Sequence, residues 1–315
     1  MQEKIIYSKI YEAIKKANNI LLVTHEKPDG DGLSAVGAFI ELLESLDKKY
    51  YAYCADAPAE VFYFLPHISK IKNIKPEFGD FDLIMVFDCG SLDRTKLAEE
   101  IKGRSKNQLA VNLDHHPRVD DFADLEVKKI VAAATTEIVY DFFKANNLVI
   151  NKNVASLILT GIMADTGSFL YPSTSDKTLS IAAEMISQGA ILPKIIDNIF
   201  KNKSLEGLKV WGQALKRLKL NSKYNLAWTI LTKEDTRGVS EEELEGVANF
   251  LGNLKEADAV MFLREQEGGI IRGNLRSKKK DISRLANVLG GGGHKNAAGF
   301  MVEGKFNSQL LIIPA

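Results

Sequence analysis

The chain has 315 residues, 45% apolar and 26% charged, the make-up of a globular protein with room for one large domain or two medium ones, and not of a disordered, collagen-like or disulfide-scaffold chain. Its 41 basic residues balance 41 acidic ones, so no whole-chain field exists to hold long nucleic acid or an anionic membrane by charge alone. The N-terminus, MQEKIIYSKIYEAIKKANN, is charged throughout and no stretch reaches the roughly 18 apolar residues of a membrane span, so a cytoplasmic protein with no membrane partner is expected. Cys54 and Cys89 are too few for a disulfide framework or a thiolate zinc site, which leaves His and carboxylate for metal chemistry.

In chain order, short β-rich runs at 19–24, 49–54, 82–87, 108–113 and 127–131 alternate with helical patterns at 32–46, 93–101, 134–146 and 151–163. That alternation predicts an α/β domain built on a mainly parallel sheet covered by helices on both faces. From 176 to about 220 the pattern is helical, interrupted by Gly189 and Pro193. Strand-like runs then recur at 226–231, 257–263, 270–275 and 298–302, with helices at 241–251 and 281–289, as in a smaller α/β domain with a mixed sheet. The expected division is a catalytic domain over 1–190, a helical linker over 191–222 and a second domain over 223–315, with a cleft between the two domains.

In an open α/β sheet, ligands bind beyond the carboxyl ends of the strands. Here NILLVT is followed by His25, Asp29 and Asp31, DLIMVF by Asp88, and QLAVNL by Asp114, His115 and His116. A further carboxylate, Asp165, follows the apolar segment LILTGIM, with Gly167 placed to let the backbone turn. Taken singly, Asp29, Asp31 or Asp88 reads as a turn residue or helix cap. As a set, four carboxylates gathered at one edge would repel one another unless cations sit among them.

Two divalent ions would neutralise Asp29, Asp31, Asp88 and Asp165, with His25 and His115 binding as neutral rings. Asp88 is the natural bridge, with His25 and Asp29 on one ion and Asp31, His115 and Asp165 on the other. A nitrogen and oxygen ligand set without thiolate favours Mn²⁺, with Mg²⁺ or Co²⁺ as alternatives. Consecutive side chains of an extended segment point oppositely, so His115 and His116 are not expected on the same ion.

The series His25-x-x-x-Asp29-x-Asp31, Asp88, Asp114-His115-His116 and Asp165-Thr-Gly-Ser resembles the DHH phosphoesterase superfamily. The segment Gly-Gly-Gly-Gly-His294-Lys-Asn-Ala-Ala-Gly-Phe resembles the signature of its DHHA1 accessory domain, and the two together span residues 25 to 300. Within the superfamily the chain is similar to the nanoRNase and pAp phosphatase group. The resemblance implies the same six metal ligands and two-metal hydrolysis of short single-stranded RNA or 3′,5′-bisphosphate nucleotides. It places His116 beside the scissile phosphate, with Asp114 holding an imidazole or a metal-bound water. Ala164, Val119 and Gly273-Asn274 depart from the group's pattern without removing a ligand.

Between Arg264 and Lys295 eight basic residues face three acidic ones, a net charge of +5, which offers grip on a few phosphates but not on a long strand. Alternation puts Arg272, Asn274 and Arg276 on one strand face. Arg264, Arg272, Arg276 and His294, with the backbone of Gly292 and Gly293, are the candidate substrate contacts. The run Lys278 to Lys280 reads as a solvated turn. A homodimer through the helices of 176–220 is a further expectation. Rival readings are a cyclic or linear dinucleotide phosphodiesterase, an exopolyphosphatase or pyrophosphatase, and an inactive nucleotide- or RNA-binding module. The last gives no reason to gather four negative charges.

Overall fold

The computed structural model describes residues 2–201, 203–244, 246–307 and 312–313, and the chain divides into two compact units, 1–201 and 202–315. The first unit contains α1 (Gln2–Lys16), β1 (Asn19–Val23), α2 (Gly30–Ser45), β2 (Lys49–Tyr53), β3 (Ile71–Lys72), β4 (Leu83–Phe87), α3 (Ala98–Lys102), β5 (Leu109–Asp114), β6 (Leu125–Lys128), α4 (Thr135–Ala145), α5 (Lys152–Asp165), α6 (Asp176–Ser187) and α7 (Leu192–Ile199). Its sheet runs β3-β2-β1-β4-β5-β6 and every pairing is parallel. Strand alternation sends Ile20, Leu22, Met85, Phe87, Val111 and Leu113 into a core with α2, α4 and α5, while Leu21, Val23, Ile84 and Val86 meet Leu97 and Ile101 on the other face. Strand order reverses about β1, so the carboxyl ends of β1 and β4 form the switch point at which sheets of this kind bind ligands.

The second unit contains α8 (Leu205–Lys216), β7 (Lys219–Asn221), β8 (Leu226–Leu231), α9 (Glu241–Leu244), α10 (Val247–Leu251), β9 (Ala259–Gln266), β10 (Ile270–Ser277), α11 (Ser283–Val288), β11 (Gly292–His294) and β12 (Ala297–Glu303). Its mixed sheet runs β11-β12-β10-β9-β8-β7, with β8 and β9 parallel and the other pairs antiparallel. Residues of α8, α9 and α10 cover one face, around Val260 and Phe262, and Ala286 of α11 joins the core of the other. Gly273 lacks a side chain because the Phe300 ring lies where its Cβ would stand, 2.2 Å away.

Several elements differ from expectation. The N-terminal segment is helical: Tyr7, Ile10 and Ile14 form a buried stripe under its charges. The helix expected over 241–251 breaks at Gly246, whose φ is 91°, into α9 and α10. The stretch 191–222 is shared out, since Ile195 of α7 joins the first unit's core and Val210 and Ala214 of α8 join the second's. The glycine tract is in part a strand: Gly292 to His294 pair with β12, and a Cβ on Gly291 would lie 2.0 Å from the Gly299 carbonyl. Close approach of two backbones therefore demands glycine there independently of any ligand. Among the described residues no single helix is long and apolar enough to cross a membrane.

Candidate metal centre

The residues singled out at the strand ends of the first unit converge. Asp29 caps α2, one carboxylate oxygen accepting from the amides of Asp31 and Gly32 at 3.0 and 3.1 Å. Its other oxygen lies 3.7 Å from His25 Nε2, which is also 3.7 Å from Asp88 Oδ2. On the far side of Asp88, Oδ1 lies 3.5 Å from His115 Nε2, itself 3.0 Å from Asp165 Oδ2. Three donor groups result: His25, Asp29 and Asp88; Asp31, His115 and Asp165; and Asp88, His115 and His116. In each, the donor atoms lie within 4.8 Å of one another; Asp88 belongs to two of the sets and adjoins the third through His115.

The backbone is bent to achieve this. Asp88 sits at φ 53°, a left-handed conformation that Asp tolerates better than most residues and that is held here by its amide donating to the Leu113 carbonyl at 3.0 Å. Asp165 follows from the end of helix α5, not from a strand, and Gly167, Ser168 and Phe169 turn the chain through three successive left-handed residues. Inside this turn, buried Thr166 donates to the Ile162 carbonyl at 2.6 Å and accepts from the Phe169 amide at 3.0 Å.

Asp31, in the first turn of α2, is fully buried and faces the N-terminus of α4. Its carboxylate accepts from the Thr135 amide at 2.5 Å, the Thr136 amide at 3.0 Å and the Thr136 hydroxyl at 2.7 Å. Thr135 also donates its hydroxyl to Asp88 at 2.9 Å. Sequence reasoning missed both threonines. The available signal was Thr-Thr-Glu opening a helical pattern, the mark of a helix start whose free amides face a partner.

Charge crowding shows in the proton affinities. Burial, then Asp88 and Asp165, raise Asp31 well above the usual carboxylate range. Burial and neighbouring carboxylates push Asp165 up to about 6 against the pull of His115. Burial works against charge on His25 and His115, yet Asp29 and Asp88 push the first up to about 10, and Asp165 leads in pushing the second up to about 11.

The donor set fits metal ions. The spacings of His25 to Asp29 and Asp88 and of His115 to Asp88, 3.5 to 3.7 Å, exceed a good hydrogen bond and suit atoms arranged around a common centre, while His115 and Asp165, at 3.0 Å, are within hydrogen-bond reach. His115 Nδ1 faces the Ala132 carbonyl at 3.3 Å and His25 Nδ1 the Glu26 carbonyl at 2.7 Å, which turns both Nε2 atoms toward the carboxylates. Arg94 Nη2 also approaches His25 Nδ1 at 2.8 Å; the tautomer that leaves Nε2 to act as a ligand is the one whose Nδ1–H donates to the Glu26 carbonyl.

His115 and His116 do not diverge as extended geometry suggested. The chain bends after β5 and the rings lie 4.5 Å apart between centroids. His116 Nδ1 is held by Asp114 Oδ1 at 2.8 Å.

In the second unit, Arg272, Asn274 and Arg276 share the half-exposed face of β10. Arg264 is buried, with Nη2 3.0 Å from Glu241 Oε2, and Arg272 reaches the same oxygen at 3.5 Å. Arg276 bonds Asn249 and the Leu275 carbonyl. Gly292, Gly293 and His294 lie exposed on edge strand β11.

Residues 19–162 match the DHH family, N-terminal domain, and residues 212–311 match the DHHA1 domain. The chain belongs to the DHH family. It is accordingly a hydrolase of phosphoester bonds with a DHHA1 domain. It is 27% identical to the bifunctional oligoribonuclease and PAP phosphatase NrnA of Bacillus subtilis, over 93% of this chain and 92% of that one. The NrnA of Thermus thermophilus is also 27% identical, covering 90% and 84%. Among solved structures, an exopolyphosphatase-related protein from Bacteroides fragilis is 26% identical, with a TM-score of 0.88 over 94% of this chain and 90% of that one. RecJ of Thermus thermophilus, determined in complex with Mn²⁺, shares the fold at 15% identity, with a TM-score of 0.56 over 96% of this chain and 52% of RecJ.

Proposed function

We propose that this DHH protein hydrolyses short oligoribonucleotides and 3′,5′-bisphosphate nucleotides with two divalent ions, Mn²⁺ foremost. The observation that carries the reading is Asp88, one buried carboxylate with one oxygen toward His25 and the other toward His115. The NrnA relatives, bifunctional oligoribonucleases and PAP phosphatases, support the substrate class. His25, Asp29, Asp31, Asp88, His115 and Asp165 would hold the ions, which when bound supply hydroxide near neutral pH and neutralise charge on the phosphoryl oxygens.

The chain's own part is orientation and proton transfer. Asp31 and Asp88 are fixed by Thr135 and Thr136, so the ligand oxygens need no reorganisation when the ions arrive. His116, oriented through Nδ1 by Asp114, presents Nε2 as the proton donor to the leaving oxygen. Arg272, Arg276 and His294, with the backbone of Gly292 and Gly293, take the substrate's remote phosphate, and Arg264 supports Arg272 through their shared contact with Glu241.

The test is Mn²⁺-dependent turnover of a labelled diribonucleotide, pAp, a cyclic dinucleotide and pyrophosphate, side by side, with Asp88→Ala as control. The expected result is cleavage of the first two by the wild type alone. Preference for pyrophosphate or the cyclic dinucleotide would overturn the substrate assignment, and RNA binding without any turnover would make the chain a binding module.

A further inference from the structure

A buried charge lies one residue beyond the machinery described so far. Lys128, the last residue of β6, stands in register beside Asp114 of β5, and its Nζ lies 3.1 Å from Asp114 Oδ2. Their side chains are 10% and 1% exposed. Such a pair is a weak source of stability, since taking both charges out of water offsets most of their attraction.

What the pair does is geometric. Asp114 Oδ1 is engaged by His116, through its amide at 3.0 Å and its Nδ1 at 2.8 Å. The carboxylate could still turn about its Cβ–Cγ bond and carry the imidazole with it. Oδ2 prevents this, gripped by the Gly90 amide at 3.2 Å and by the Lys128 ammonium. Gly90 is left-handed at φ 62°, and His116 Cγ lies 3.5 Å from where its Cβ would stand, so that amide is set by a turn packed beneath the same ring. Of the two donors to Oδ2 Lys128 is the charged one, and charge-assisted hydrogen bonds are about twice as strong as neutral ones.

We infer that Lys128 is a positioning residue for His116, acting through Asp114. The inference rests on the proton-donor role proposed for His116 but is measurable apart from it.

Lys128→Met is expected to lower kcat on the diribonucleotide about tenfold or more, the usual cost of losing a partner of an active-site ligand, with KM and Mn²⁺ affinity held within about twofold. In a His116→Ala background the same substitution should leave kcat unchanged within about twofold, because its route of action has gone. In the metal-free protein, NMR should show a downfield Nδ1–H resonance, assigned by its loss in His116→Ala. That resonance should shift or broaden in Lys128→Met and be retained in Lys128→Arg. If Lys128→Met does not fold, Lys128→Gln carries the same cycle.

Equal loss of kcat in both backgrounds, or an unmoved resonance with unchanged kcat, overturns the inference. If no phosphoester is turned over at all, the proposed function fails, and the resonance alone decides on Lys128.

Discussion

At the scale of single residues, the candidate metal centre sets protons against cations. With His25 pushed up to about 10 and His115 to about 11, both rings are protonated at neutral pH when no metal is bound, and each must lose a proton to become a ligand. Mn²⁺ affinity should therefore rise between pH 6 and 8, and calorimetry in two buffers of different ionisation enthalpy should register proton release. Affinity independent of pH over that range would contradict the assignment of these rings as ligands. Stability carries the same signature. Asp165, raised from 3.8 to about 6, contributes stability that is complete below its unfolded value and lost as pH rises through about 6. Metal binding restores what that ionisation removes, so the gain in Tm on adding Mn²⁺ should be larger at pH 7.5 than at pH 5.5.

At the scale of elements, α2 and α5 cross at glycines, and the two crossings have different duties. A Cβ on Gly37 would stand 2.8 Å from Leu157 Cδ2, the end of an adaptable side chain in the core. A Cβ on Gly161 would stand 2.4 Å from Thr136 Oγ1 and 2.5 Å from Asp31 Oδ1, where a fixed hydrogen bond is already made. Each alanine overpacks by about 1–3 kcal/mol, but only Gly161→Ala should also weaken Mn²⁺ binding, by tenfold or more, because it displaces Asp31. Equal metal affinity in the two variants would mean that α5 does not bear on the ligand. This also marks where the sequence stops being legible. Strands β1, β2, β4 and β5 stand out as apolar runs, and the ligands following β1, β4 and β5 are found by reading what comes next. Asp165 is found in the same way, after the apolar segment LILTGIM with Gly167 to turn the chain, although its carrier is a helix end. Thr135, Thr136 and Lys128 are invisible to such reading, since their meaning depends on contacts to Asp31, Asp88 and Asp114 made across the fold. Adjacent His115 and His116 misled for the same reason: alternation holds inside a strand, and both lie just past the end of one.

At the scale of the whole molecule, the proposed function divides charge between two tasks although the chain is neutral overall. The residues assigned to the ions all fall between 25 and 165, in the first unit, and the +5 stretch from 264 to 295 falls in the second. A phosphodiester carries its charge into both tasks, but only the reacting phosphate needs the ions. Removing a contact to a remote phosphate costs the same in the ground and transition states, so it appears in KM and not in kcat. Arg276→Ala and Arg272→Ala should each raise KM for a 5′-phosphorylated diribonucleotide about tenfold, the worth of a charge-assisted hydrogen bond, with kcat kept within about twofold. Asp88→Ala should instead abolish kcat. Added salt should raise the wild-type KM, and raise it less steeply in either arginine variant, because fewer counterions are exchanged when the substrate docks. Steady-state kinetics at two salt concentrations distinguish the outcomes. A fall in kcat shared by Arg276→Ala and Asp88→Ala would mean that the second unit takes part in the chemical step, and the separation of grip from cleavage would be lost.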